Sequence, residues 1–185
     1  PPCTFFTSAR KRATSSRPSP SRRAAGSSLL MARTRLLLPD QDGSKAIGGR
    51  LADLVRPGDV TALRGALGAG KTELARALIR AREGAAIEVP SPSYTLIQDY
   101  RFADLVIRHI DLYRIANAAE LLELGLDAPA ADEVWLIEWP ERAGAALPAD
   151  RLEIELRQGV APDSRIAEVT AGPGWKDRLT MLRCA

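Results

Sequence analysis

Residues 34–38 form a short apolar run that Pro39-Asp40 stops. Within 44–55, Ile47, Leu51, Leu54 and Val55 recur at helical spacing, which predicts a helix. Pro57-Gly58-Asp59 is a turn signal, and residues 60–63 are then a short apolar strand leading into a glycine-rich loop. Residues 71–82 carry Leu74, Leu78 and Ile79 on one helical face, and Gly84 ends that helix. Extended segments are predicted at 94–100 and 105–110, split by a polar turn at 101–104. Asn117-Ala118-Ala119-Glu120 resembles a capping box opening a short helix with Leu121, Leu122 and Leu124. Val134-Trp135-Leu136-Ile137 is continuously apolar, as a strand buried on both faces should be. Residues 152–156 (LEIEL) alternate strictly and predict a strand with one wet face. Residues 166–170 add another strand and 175–182 a closing helix. Strands alternating with helices argue for a layered α/β domain.

Composition changes this picture only at the N-terminus. Positions 1–39 hold eight of the 26 basic residues and none of the 23 acidic ones. The remainder carries 18 basic against 23 acidic residues, a net of −5, so the basic overall balance belongs to the leading segment. Residues 1–30 are rich in Ser, Arg and Pro and are expected to be disordered. Three readings of them stay open: a transit segment, a basic arm for nucleic acid, or translated upstream sequence with Met31 as the natural start. The third is preferred, because an ordered pattern begins only after Met31; the folded domain is expected over 31–185. Cys3 and Cys184 form no ligand pair or disulfide framework, which fits a reducing cytoplasm. The single histidine, His109, cannot build a multi-histidine metal site. No apolar run approaches the roughly 20 residues of a membrane span.

The glycine-rich loop Gly65-Ala66-Leu67-Gly68-Ala69-Gly70-Lys71-Thr72 fits G-x-x-x-x-G-K-[ST] at every fixed position. Consecutive backbone N–H groups of such a loop point at phosphate oxygens, and glycine adopts the required dihedrals without a Cβ clash. The helix that follows adds its positive N-terminal end. Gly65, Leu67, Gly68, Ala69 and Gly70 are thus candidate phosphate contacts, Lys71 the charge on the β- and γ-phosphates, and Thr72 a Mg²⁺ ligand. The expected fold is α/β: a single P-loop NTPase-like domain with a central, mainly parallel sheet, some antiparallel strands, and helices on both faces.

Such a site needs an acid at the end of a neighbouring strand. Glu138, closing the run Val134 to Ile137, is the first candidate, and Asp111, after Val106 to Ile110, the second. Alternatively Glu138 is a surface residue closing a strand, and Asp111 a capping or ion-paired residue beside Arg114. None of the lysines lies in the Asn/Thr-Lys-x-Asp element of guanine-specific GTPases, so ATP is the expected nucleotide. Arg76, Arg80 and Arg82 lie on the helix after the loop, where solvent exposure is the simplest reading.

Further motifs follow the loop: Ser91-Pro92-Ser93-Tyr94-Thr95-Leu96, His109-Ile110-Asp111-Leu112-Tyr113-Arg114, Glu123-Leu124-Gly125-Leu126 and Leu136-Ile137-Glu138-Trp139-Pro140-Glu141-Arg142. With the loop, over roughly residues 38–158, they resemble the bacterial tRNA threonylcarbamoyladenosine biosynthesis ATPase family, TsaE. The resemblance implies a small cytoplasmic ATPase that hydrolyses ATP slowly alone. It implies action with the proteins that transfer a threonylcarbamoyl group to N6 of adenosine 37 in tRNA. It also implies that Lys71 binds phosphate, that Thr72 and Glu138 hold Mg²⁺, and that Asp111 positions or activates the attacking water. Thr95 would lie in a nearby switch-like loop. The chain departs from the family loop at Ala66, usually Asp, and at Glu73, usually a second Thr, whose charge near the phosphates could weaken binding. Ser93 stands where Thr is usual. A net of −5 beyond residue 39 disfavours a strong tRNA surface, so tRNA contact is expected through partners. Three functions stay open: an ATPase driving turnover of the transferase complex, a nucleotide-gated interaction module with incidental hydrolysis, and a P-loop small-molecule kinase.

Overall fold

The computed structural model describes residues 31–84, 87–116 and 119–183. Seven strands form one sheet: β1 (Ala32–Leu38), β2 (Val60–Arg64), β3 (Ile97–Arg101), β4 (Val106–Asp111), β5 (Glu133–Glu138), β6 (Leu152–Gln158) and β7 (Arg165–Ala171). Their spatial order is β1-β7-β6-β2-β5-β4-β3. The central neighbours β6-β2, β2-β5 and β5-β4 are parallel, while β3 and the β7 hairpin add antiparallel edges. The central strands β2, β4 and β5 are buried nearly throughout because both their faces are covered. In β6 the alternation holds: Leu152, Ile154 and Leu156 are buried, while Glu153 and Glu155 are half-buried.

Helices α1 (Gln41–Leu54), α2 (Lys71–Glu83) and α4 (Lys176–Arg183) cover one face. Leu51, Leu74, Leu78 and Ile79 pack there on Leu63, Ile107, Val134 and Leu136. Helix α3 (Ala119–Glu123) and a 3-10 segment (Pro140–Ala146) cover the other, where Leu121 and Ala143 meet Ile110, Trp135 and Ile137. Helix α1 crosses α2 at Gly48, where a Cβ would lie 2.4 Å from that of Ala77, so the closeness of the two helices depends on this glycine.

Several boundaries differ from the sequence pattern. Helix α1 starts at Gln41 rather than near Ser44, because Asp40 is its N-cap: the carboxylate accepts the Gly43 N–H at 2.9 Å. The extended stretch expected at 94–100 narrows to β3, because Leu96 adopts a φ of 63° and its N–H bonds back to the Pro92 carbonyl. Nor are the α2 arginines simply solvated. Arg76 donates to the Val89 carbonyl, Arg80 to that of Ile87 and Arg82 to that of Ala52, tying α2 to its surroundings. Residues 1–30, the capping position Asn117 and Cys184 lie outside the described residues.

Candidate nucleotide site

Strand β2 ends at Arg64, and the loop then crosses to Lys71, the first residue of α2. Gly65 has a φ of 138°, and a Cβ there would stand 2.5 Å from the Leu156 carbonyl oxygen. The loop therefore lies against β6 only because this residue is glycine. Parallel pairing sets Asp111 directly opposite Glu138 at the ends of β4 and β5. Side chains alternate along a strand, so His109, Asp111 and Glu138 share the face occupied by Ile107, Val134 and Leu136, on which α2 packs. Two strand ends and one helix start thus converge on a cavity of about 570 Å³.

On one wall the Thr72 hydroxyl donates to Glu138 Oε2 at 2.9 Å, while Glu138 Oε1 accepts from His109 Nε2, also at 2.9 Å. The carboxylate is 2 % exposed. Lys71, 4 % exposed, donates its ammonium to the carbonyls of Gly65 (2.8 Å) and Ala66 (2.9 Å) and lies 3.7 Å over the Trp139 ring. Burial pushes this lysine below its ordinary value, against the upward pull of Glu138, Glu141 and Asp111. Trp139 holds its place with a φ of 58°, and the Pro140 that follows opens the 3-10 segment.

Asp111 is fastened on both oxygens. Oδ2 accepts from Ser93 Oγ at 2.6 Å and Ser91 Oγ at 3.3 Å, and Oδ1 accepts from the Tyr113 backbone N–H at 2.9 Å. Arg114 does not serve as its ion partner but lies over the Tyr94 ring, 5.6 Å from the centroid. Glu73, which also lines the cavity, is ion-paired with Arg76, so its charge near the loop is largely compensated.

The profile of the family described as threonylcarbamoyl adenosine biosynthesis protein TsaE matches residues 38–166. A protein of that name from Rickettsia bellii is 31 % identical over 140 residues, covering 76 % of this chain and 96 % of its own. Its Bacillus subtilis namesake is 35 % identical over 132 residues, 70 % of this chain and 80 % of its own. The crystal structure of Bacillus subtilis YdiB superposes with a TM-score of 0.63 at 29 % identity, covering 83 % of this chain and 93 % of that one. The chain belongs to the TsaE family. Its members named here are tRNA threonylcarbamoyladenosine biosynthesis proteins.

Within this TsaE fold, Leu67, Gly68, Gly70, Lys71, Thr72, Asp111 and Glu138 all line the one cavity. Gly65 and Ala69 face a smaller hollow behind the loop, against β6. Thr95 is exposed and stands outside both walls. The serine pair at 91 and 93, the Trp139 lid over Lys71, and the mouth residues Tyr94 and Tyr113 escaped residue-level reading. The one signal for them was the string of motifs around them. Among the described residues, no group of three or more His, Cys, Asp or Glu side chains converges as a metal cage. No described helix is long and apolar enough to cross a membrane.

Proposed function

We propose that this TsaE-family chain binds ATP with Mg²⁺ and hydrolyses it in the service of tRNA threonylcarbamoyladenosine biosynthesis. The observation that carries this reading is the Thr72–Glu138 pair, 2.9 Å apart at the base of the loop, with Asp111 fastened on the same cavity. Hard oxygen donors, one hydroxyl and one carboxylate, suit Mg²⁺, which keeps several waters and takes its remaining ligands from phosphates. Thr72 and Glu138 would hold the ion, which when bound neutralises charge on the phosphate oxygens. The chain's own groups do the positioning. The loop N–H groups and the α2 N-terminus bind phosphate oxygens, and Lys71 exchanges its carbonyl partners for them. Asp111, an acceptor held on both oxygens, orients a water for in-line attack and can take up its proton.

The nucleotide cycle is read as acting on the subunits that transfer the threonylcarbamoyl group, with tRNA contacted through them in the cytoplasm. Calorimetric titration with ATP and GTP, with and without Mg²⁺, followed by a phosphate-release assay, tests the core of this. Tighter ATP than GTP binding and Mg²⁺-dependent release are expected. Equal or tighter GTP binding would remove the choice of nucleotide. Binding without hydrolysis, even with the transferase subunits present, would favour a nucleotide-gated interaction module.

A further inference from the structure

The two oxygens of Glu138 have different partners. Oε2 accepts from Thr72 at the cavity, whereas Oε1 accepts from His109 Nε2 behind it. His109 is fully buried (0 % exposed) and lies outside the cavity lining. It pairs with Leu136 in the β4–β5 register, so its ring reaches diagonally along the α2 face to residue 138. Its Nδ1 is buried without a hydrogen-bond partner among the described residues. A carboxylate oxygen only accepts, so Nε2 carries a proton whatever the charge of the ring. A purely packing role would be filled at lower cost by an apolar side chain, which leaves no orphaned ring nitrogen.

We propose that His109 is the positioning residue of Glu138. By donating Nε2–H to Oε1 it sets the carboxylate's orientation and directs Oε2 at Thr72, preorganising the oxygen pair offered to a divalent cation. Groups that hydrogen-bond a metal-ligating carboxylate fix it in this way, and their loss weakens the metal about 10- to 100-fold. The inference rests on Thr72 and Glu138 being the Mg²⁺ site.

The chain has a single histidine, so a long-range proton–nitrogen spectrum of the full-length protein reads this ring without ambiguity. A protonated, slowly exchanging Nε2 is expected, with faster exchange in Glu138→Ala. A ring protonated on Nδ1 alone would overturn the proposal. ATP titrations with and without Mg²⁺ supply the second readout. His109→Leu should leave metal-free affinity unchanged but cut the Mg²⁺-dependent gain by about 10-fold. His109→Gln, which keeps an N–H donor at similar reach, should restore most of it. Equal weakening with and without Mg²⁺ would mean a merely structural role. A full Mg²⁺ gain in His109→Leu, with that gain lost in Glu138→Ala, sinks this inference alone. A full gain in Glu138→Ala sinks the metal-site reading beneath it. Should His109→Leu not fold, the ring spectrum and the Gln variant still decide.

Discussion

Asp111 owes its orientation to hydroxyls contributed from 18 and 20 residues earlier in the chain. Ser93→Ala removes the 2.6 Å donor and leaves the longer one from Ser91, so hydrolysis should fall several-fold with ATP affinity nearly unchanged. Ser93→Thr retains the hydroxyl and should retain the rate; phosphate release by both variants against wild type checks the pair. Lys71 gives a pH test. Its ammonium is held below the ordinary lysine value of 10.5, and bound phosphate favours the charged form. Nucleotide affinity should therefore be complete at neutral pH and decline with rising pH, beginning below that value. Lys71→Ala should bind more weakly and lose this decline, as titrations from neutral to alkaline pH would show. The loop and the two acids were legible in the sequence because their chemistry demands fixed spacing or a strand end. The serine clamp and Trp139 were not, because Ser93 meets Asp111 only after folding and a left-handed φ leaves no periodic trace.

The elements themselves were read closely from apolar periodicity, and the misreadings cluster where side chains or turns cap the backbone. Asp40 read only as the stop of the apolar run before it, because capping geometry is invisible to a 3.6-residue pattern. The hairpin after the loop lost three residues to the turn that brings Leu96 to the Asp111 N–H. Equally hidden was the contact between α1 and α2, where adjacent glycines play opposite parts. A Cβ at Gly48 would meet Ala77 and the backbone before Leu78, whereas one at Gly49 finds only the Ala81 methyl at 4.0 Å. Gly48→Ala should therefore destabilise the protein by about 1–3 kcal/mol through overpacking. Gly49→Ala should stabilise it by up to about 1 kcal/mol through helix propensity alone. Paired denaturant melts would show the opposite signs.

At the scale of the molecule, the C-terminal helix is fastened to the far end of the sheet from the candidate nucleotide cavity. Arg178, stacked 3.8 Å over Trp175, donates to the Leu54 carbonyl and to both oxygens of Asp59, just before β2. Arg178→Ala strands a mostly buried carboxylate and should cost about 3 kcal/mol. Nucleotide affinity of the folded protein should stay intact, and thermal melting beside an ATP titration separates the two. The one-to-one pairing of β4 with β5 has a different kind of consequence, for which length changes the fold tolerates. A single-residue insertion within either strand would carry its carboxylate to the opposite face and dismantle the site at once. Between the buried Leu126 and the start of β5, the largely exposed stretch 127–132 bears no such register constraint. Natural variants of this domain should therefore lengthen or shorten freely there, while the six-residue spans ending at Asp111 and Glu138 stay unchanged in length.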